Sequence, residues 1–214
     1  IVCGGAPLGV QYIKAFRSWG IEILNGYGTT ECSPCIAVNR NCHHKDGTVG
    51  LTYPNIDIKV SDDGEILVKG AIVMQGYYKN PAETQKVLNN GWYATGDIGF
   101  VDEEGFIRLT GRKKNLIILS NGENISPEEL EADFLKDMAV SEVLVKEKEG
   151  LLAAEIYPDK SYLTERHQEG SLEDYFEQLR RTVNKNRPLY KQISVIQLRD
   201  TEFNKNTSRK IVRS

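Results

Sequence analysis

The residues with the clearest chemical potential form a short run near the start of the chain: Asn25, Gly26, Tyr27, Gly28, Thr29, Thr30 and Glu31. Its two glycines predict a backbone that turns sharply and can approach a ligand closely. The ring of Tyr27 offers a face on which a flat heterocycle can stack. Thr30 supplies a hydroxyl for a phosphate oxygen, and Glu31 a carboxylate suited to Mg²⁺, which prefers oxygen ligands. The same run also fits an ordinary turn followed by a helix cap.

Three further positions carry groups that a nucleotide site could use. Asp97 follows Thr95-Gly96, and a carboxylate after a glycine turn can accept the two hydroxyls of a ribose. Arg112, in the run Gly111 to Lys114, can donate to a ribose or phosphate oxygen. Lys210 lies among small polar residues near the end of the chain. Taken singly, each also fits a solvated turn or tail.

The four cysteines allow a second interpretation of the first run. Cys32-x-x-Cys35, followed by Cys42 and His43-His44, has the spacing of half a zinc site, but no second CxxC or HxxxH follows. Free thiols in a reducing cytoplasm are the alternative, and we favour it.

Secondary-structure elements must position these groups, and the hydrophobic pattern predicts which elements form. In the first half of the chain it predicts an α/β opening and a β-rich section. Apolar residues over 9–19 predict a helix with a buried face at Tyr12, Ile13, Phe16 and Trp19, and residues 21–24 a short buried strand. Alternation predicts one hairpin over 56–68 and another over 98–109, with a short helix over 81–88 between them. These elements indicate a βαβ piece and a small barrel-like subdomain.

A compact α+β unit is predicted beyond the basic run at 111–114. Ser126 before Pro127 marks a helix start, with a buried face at Leu130, Phe134, Leu135 and Met138. Strands are predicted over 140–145, 151–156 and 193–198, and a helix over 172–183. We therefore expect two domains, residues 1–111 and 112–214. Because the chain opens on what reads as the inside of a buried strand, we expect it to be part of something longer.

Composition narrows the function classes. A hydrophobic fraction of 40% and a charged fraction of 27% are ordinary for a globular protein, and no apolar run approaches a membrane span. A net charge of −3 argues against a general nucleic-acid binder. The basic residues Arg180, Arg181, Lys185 and Arg187 are interpreted as one solvated helix face.

Together, the motifs resemble those of the adenylate-forming superfamily, which includes acyl-CoA synthetases, nonribosomal adenylation domains and luciferases. The signature Tyr-Gly-x-Thr-Glu is residues 27–31, Thr-Gly-Asp is residues 95–97, and the Gly-Arg hinge motif is Gly111-Arg112 with Lys114. The resemblance covers essentially the whole chain. It implies that a carboxylate attacks the α-phosphorus of ATP to give an acyl-adenylate, and that a thiol then displaces AMP.

The resemblance also implies roles for individual residues. Adenine would lie between Tyr27 and the turn of Gly5, Ala6 and Pro7, with Asn25 near its amino group; Gly26 and Gly28 would line the nucleotide. Thr30 would touch the α-phosphate, Glu31 would hold Mg²⁺, and Asp97 and Arg112 would bind the ribose.

Three implied roles fall in the last half of the chain. Lys114 would be the hinge of a small C-terminal domain, and Gly122 would open the path for the pantetheine arm of CoA. Lys210 would bridge the carboxylate and the α-phosphate, although the usual Ser-Gly-Lys here reads Ser208-Arg209-Lys210. The Ser/Thr/Gly-rich phosphate loop of the family is expected upstream of Ile1.

These implications leave alternatives open. The leading one is a cytoplasmic acyl-CoA synthetase acting on a fatty or aromatic acid, with ATP, Mg²⁺ and CoA. The second is an adenylation domain that loads a phosphopantetheinyl carrier protein. The third is a nucleotide-binding module that has lost the reaction.

Overall fold

The predicted βαβ-like opening is present. In a computed structural model that describes residues 1–6, 8–119, 122–165, 171–207 and 209–213, strand β1 (Val2–Cys3) is followed by helix α1 (Val10–Ser18) and strand β2 (Leu24–Gly28). Strands β1 and β2 are parallel. The strand predicted over 21–24 was placed too early, since β2 begins at Leu24.

The predicted face of α1 is only partly buried. Ile13 is 2% exposed, whereas Tyr12 is 47% and Trp19 71% exposed. Trp19 lies beyond the last helical residue, at the C-cap, where the helical repeat no longer governs the direction of its side chain. The prediction of four buried positions was therefore wrong for these two aromatic residues.

Two sheets complete the first half of the chain. In the first, the strand order is β1-β2-β3-β4, with β3 at Cys35–Val38 and β4 at Leu51–Thr52. The second contains β5 (Ile56–Val60), β6 (Glu65–Gly70), β7 (Leu88–Asn89), β8 (Trp92–Val101) and β9 (Ile107–Arg112). Helix α2 (Pro81–Val87) lies between β6 and β7 in the sequence. Both predicted hairpins are present, as β5–β6 and β8–β9.

The second half is the predicted α+β unit. Its elements are β10 (Ile117–Ile118), β11 (Asn124–Ile125), α3 (Pro127–Phe134), β12 (Val140–Lys148), β13 (Leu151–Pro158), α4 (Lys160–Glu165), α5 (Leu172–Asn184) and β14 (Val195–Leu198). The main sheet has the order β12-β13-β14, with β12 and β13 antiparallel and β14 parallel to β13.

Contacts divide the chain into unit 1, Ile1–Lys114, and unit 2, Asn115–Ser214. Each unit has its own hydrophobic core. Residues at the centre of the first are Tyr27, Ile36, Ile66, Val68 and Ile107. Residues at the centre of the second are Ile125, Leu130, Phe134, Ile156 and Phe176. Within the described ranges, no helix is long and apolar enough to cross a membrane.

Two predictions in unit 2 need correction. Helix α3 ends at Phe134, so Leu135 and Met138 fall outside its buried face and are 37% and 59% exposed. The four basic residues do not form one solvated face. Arg187 lies beyond the end of α5, pairs with Asp133 and keeps only 10% of its side chain exposed, and Arg180 pairs with Glu177.

Candidate functional site

The ends of strands β1 and β2 bring the first two candidate segments together. Cys3 pairs with Asn25, so the loop after β1 and the start of the Tyr-Gly-x-Thr-Glu run lie side by side. A Cβ on Gly4 would lie 3.2 Å from the carbonyl oxygen of Gly26, which shows how closely the two backbones approach. Gly5 adopts a φ of 84°, which favours glycine. The carboxyl end of parallel strands is where α/β proteins place ligands.

The loop after β1 contains Gly5 and Ala6, which the resemblance places next to adenine. Gly5 and Ala6 are exposed, and Asn25 is 8% exposed at the adjoining position. Pro7 lies outside the described residues. The loop and Asn25 are thus adjacent, and their contact with adenine stays a prediction.

The two glycines of the run serve a different purpose from the one predicted. Both belong to strand β2 and make no sharp turn there. A Cβ on Gly28 would lie 1.7 Å from the carbonyl oxygen of Pro34, so no side chain fits at this position. At Gly26 the nearest atom would be 3.5 Å away, an ordinary contact. Gly28 therefore lets the chain fold back closely after the strand.

A buried hydrogen bond joins the first motif to the second. The hydroxyl of Tyr27 donates to Oδ2 of Asp97 at 2.6 Å, although the residues are 70 positions apart. Asp97 pairs across strands with Arg112, whose Nε lies 2.8 Å from Oδ1. Asp97 and Tyr27 are 5% and 8% exposed. Two donors therefore fix the orientation of one buried carboxylate.

This geometry changes the interpretation of Tyr27. Burial, followed by the nearby charge of Asp97, raises the pKa of Tyr27 above its ordinary value, so the phenol stays protonated and acts as a donor. Its ring belongs to the core of unit 1. The stacking role stays a prediction, and the direct contact with Asp97 was not foreseen.

A second buried carboxylate, which the sequence did not single out, supports the backbone before Asp97, where the structure has an irregularity within strand β8 instead of the predicted turn. Glu65 is 6% exposed, and its Oε1 accepts from the backbone N–H of Gly96 at 2.8 Å. Its Oε2 lies 2.7 Å from the ammonium of Lys113, which also pairs with Asp63. Gly96 needs its flexibility, because its φ is 71°. The only sequence signal for this role of Glu65 is its place as an acidic residue at the start of β6.

Glu31 is held by another residue that the sequence analysis missed. The hydroxyl of Tyr77 donates to Oε1 of Glu31 at 2.9 Å, and the Met74 N–H donates to the Glu31 carbonyl at 2.8 Å. Burial, with the adjacent carboxylate, raises the pKa of Tyr77. Glu31 itself is half-buried, and the neighbouring Thr30 is exposed.

The carboxylate of Glu31 fits a magnesium ion that is held mainly by a substrate. Over the part of the chain that the structure describes, no group of three or more His, Cys, Asp or Glu side chains could hold a metal ion. Mg²⁺ is commonly bound through one or two carboxylates together with phosphate oxygens and water. A single oriented carboxylate at Glu31 matches that requirement.

The cysteines take up dissimilar positions. Cys32 is fully buried in the core of unit 1, whereas Cys35 and Cys42 are exposed. Burial raises the pKa of the Cys32 thiol, which disfavours the thiolate that binds metals. This position gives no support to the zinc interpretation.

The remaining candidates lie at the end of unit 1 and in unit 2. Lys114 is the last residue of unit 1. Gly122 lies between β10 and β11 in the sequence and has a φ of 83°, and its N–H donates to the Leu119 carbonyl at 2.8 Å. Lys210 is exposed near the tip of a hairpin, and its N–H donates to Oδ1 of Asn206 at 3.0 Å. The hinge, CoA-path and adenylating roles stay predictions.

The residue that replaces the family glycine keeps a glycine-like conformation. Arg209 has a φ of 58°, in the left-handed region. Its N–H donates to the Asn206 carbonyl at 2.9 Å. Arg209 therefore occupies a backbone conformation that glycine adopts readily, while Ser208 lies outside the described residues.

A nucleotide-binding α/β protein is the class that this fold and these motifs define, and comparisons with known proteins agree. The family described as AMP-binding enzyme matches residues 1–78. Long-chain-fatty-acid–CoA ligase FadD15 of Mycobacterium tuberculosis is 40% identical over 144 residues, which are 67% of this chain and 24% of that protein. Long-chain-fatty-acid–CoA ligase of Escherichia coli O157:H7 is 40% identical over 155 residues, 65% of this chain and 27% of that protein.

Solved structures point the same way. O-succinylbenzoate–coenzyme A synthetase of Bacillus subtilis, in complex with ATP and magnesium ion, matches with a TM-score of 0.80 and 29% identity, over 99% of this chain and 44% of that one. Its complex with AMP gives a TM-score of 0.82 and 28% identity, over the same shares of the two chains.

The chain belongs to the adenylate-forming, AMP-binding enzyme family. It spans about a quarter of the length of the curated relatives that it matches.

Proposed function

We propose that this chain is part of an AMP-forming acid–thiol ligase of the long-chain acyl-CoA synthetase type. Such an enzyme joins a fatty acid to ATP as an acyl-adenylate, releases pyrophosphate, and then transfers the acyl group to CoA. The observation that carries the proposal is the buried hydrogen bond between Tyr27 and Asp97, together with the ion pair of Asp97 with the exposed Arg112, because these contacts unite three of the family motifs. The relatives named as long-chain-fatty-acid–CoA ligases support the acid class.

The residues of unit 1 have distinct parts in this proposal. Asp97, oriented by Tyr27 and Arg112, would accept the ribose hydroxyls of the nucleotide. Thr30 would donate to the α-phosphate, and Glu31, oriented by Tyr77, would hold Mg²⁺. The ion would supply charge neutralisation at the phosphate oxygens.

Lys210 would act in the first half-reaction. Two anions, the carboxylate and the α-phosphate, must approach each other, so a cation at their meeting point lowers the barrier. Removal of one preorganised group of this kind costs about 3–4 kcal/mol. The exposed position of Lys210 near a hairpin tip leaves its ammonium accessible to substrate.

The proposal is tested on the intact protein with Lys210→Ala. We expect ATP–pyrophosphate exchange with a long-chain acid to fall about 100- to 1,000-fold. Formation of the thioester from a supplied acyl-adenylate and CoA should be largely spared. Equal loss of both half-reactions would instead mean that Lys210 is structural, and absence of exchange in the unsubstituted protein with any acid would refute the proposed function.

The acceptor needs a separate experiment. Product formation with free CoA supports the synthetase assignment. Failure with CoA, together with success on a phosphopantetheinyl carrier protein, would favour the carrier-loading alternative.

The free thiols of the described cysteines suit the expected cytoplasmic location.

A further inference from the structure

Lys210 is carried by a short hairpin near the end of the chain, which we name the tail hairpin and describe over residues 204–207 and 209–213. The Val212 N–H donates to the Asn204 carbonyl, and the Asn206 N–H to the Lys210 carbonyl, both at 2.9 Å. Lys205 and Ile211 face each other as a bridge pair. A two-stranded hairpin by itself is marginally stable in water. Contacts outside the hairpin must therefore hold it in one position.

The second leg of the hairpin is attached to the core of unit 2 through a buried carboxylate. Nη2 of Arg213 lies 2.5 Å from Oε2 of Glu131, a residue of α3 that is 8% exposed. The other carboxylate oxygen accepts from the Val145 N–H at 2.7 Å. Nη1 of Arg213 donates to the carbonyl of Val145 at 3.5 Å. Arginine and glutamate together thus engage both backbone groups of one residue.

The position of Val145 explains why these two side chains are needed. Val145 belongs to β12, which is the edge strand of the sheet β12-β13-β14. The backbone groups of a buried strand edge require partners. Burial raises the pKa of Glu131 in spite of the hydrogen bond from Arg213, so removal of the arginine would leave a poorly solvated carboxylate.

The first leg has a parallel attachment. The buried carboxylate of Glu142 accepts from the Phe203 N–H at 2.8 Å and forms an ion pair with Lys205. Phe203 is 8% exposed, and the guanidinium of Arg199 lies 4.3 Å from the centre of its ring. Both legs are therefore held by buried carboxylates of unit 2, and Lys210 lies in the sequence between these two attachments.

We infer that Arg213 and Glu131 are positioning residues for Lys210. They fix the tail hairpin to the edge of β12, so that the lysine is presented from a rigid base rather than from a mobile tail. This role rests on the proposed function of Lys210. Because a misplacement of about 1 Å can cost about 100-fold in rate, the anchor matters only for the half-reaction that uses the lysine.

The test measures the two half-reactions separately in the intact protein. For Arg213→Met we expect ATP–pyrophosphate exchange to fall about 10- to 100-fold, with thioester formation from supplied acyl-adenylate changed less than about twofold. Arg213→Lys should recover part of the exchange, because it keeps the charge near Glu131 but loses the fork that reaches Val145. The matched control is Lys191→Met, which removes the ion pair with Glu129, another residue of α3, without changing any contact described here for the tail hairpin.

A second variant guards against misfolding caused by the unpaired Glu131. Glu131→Gln combined with Arg213→Met removes both charges, and hydrogen exchange of the tail amides reports the anchor directly. Faster exchange of the amides of residues 204–213, with the sheet amides unchanged, supports the inference. The inference would be overturned by unchanged hydrogen exchange of the tail amides, by unchanged ATP–pyrophosphate exchange, or by equal loss of both half-reactions. If the unsubstituted protein adenylates no acid, the proposed function fails as well.

Discussion

At the level of single residues, the carboxylate of Asp97 is the point on which the candidate site depends. A buried carboxylate is costly unless it is paired and hydrogen-bonded. Tyr27 and Arg112 supply one donor to each oxygen. The pair also fixes the direction of the carboxylate, which a ribose-binding group requires. Stability and the proposed binding therefore depend on the same contacts.

Replacement of Tyr27 by Phe tests this dependence. The change removes the hydroxyl that donates to Asp97 and keeps the ring in the core. A hydrogen bond to a charged group contributes about 1.5–3 kcal/mol, so the free energy of unfolding should fall by about that amount. Urea unfolding of the chain at neutral pH measures it. Tyr78→Phe is the control, because Tyr78 is 88% exposed; equal effects would contradict the assignment.

The same variant should change how stability depends on pH. The pKa of Tyr27 is raised above its ordinary value of 10 by burial, so the unfolded chain loses the phenol proton before the folded protein does. The stabilisation is therefore present below pH 10 and is lost as the pH rises above that value. When the pH is raised from about 9 to about 11, the free energy of unfolding should fall less for Tyr27→Phe than for the unsubstituted chain.

At the level of secondary-structure elements, close packing after strand β2 dictates glycine at position 28. A Cβ there would lie 1.7 Å from the Pro34 carbonyl oxygen, so Gly28→Ala must displace backbone. We expect a loss of about 1–3 kcal/mol or more in the free energy of unfolding. Gly26→Ala in the same strand is the matched control, since its Cβ would make ordinary contacts. Equal losses in the two variants would refute the steric explanation.

The tail hairpin allows the opposite kind of change, one that should stabilise. Arg209 holds a φ of 58°, which costs an ordinary residue about 1–2 kcal/mol. Glycine at this position would avoid that cost, and part of the resulting gain in stability is offset by the greater freedom of glycine in the unfolded chain. Arg209→Gly should therefore slow hydrogen exchange of the tail amides severalfold. Arg209→Ala removes the charge but keeps the Cβ, so it should give no such gain.

Local patterns predicted the elements better than the contacts between them. The alternation around Ile56 and Ile66 is a property of neighbouring residues, so both hairpins were found. The bond from Tyr27 to Asp97 spans 70 positions, and that from Arg213 to Glu131 spans 82. No spacing rule links residues so far apart. The glycines of β2 were misinterpreted for the same reason, because the partner of Gly28 is set by how the chain folds back.

At the level of the whole molecule, each unit has its own hydrophobic core. In the proposed function, Glu31 of unit 1 would hold a metal ion and Lys210 of unit 2 would act in adenylation. ATP carries a triphosphate whose charge must be stabilised at several oxygens during adenylation. The relatives that the chain matches are about four times as long as the matched part. The Ser/Thr/Gly-rich phosphate loop that the resemblance implies is not among the motifs found in this sequence.

These 214 residues alone should therefore fail to catalyse ATP–pyrophosphate exchange. Each missing preorganised group lowers the rate about 100- to 1,000-fold, so two or three of them place the reaction below detection. The measurement compares the chain with the intact protein at equal concentration, with a long-chain acid as substrate. NMR measurements of AMP binding to the chain show whether the site around Asp97 is formed. Robust exchange by the chain alone would mean that its own residues complete the site, and that Lys210 works without a separate phosphate loop.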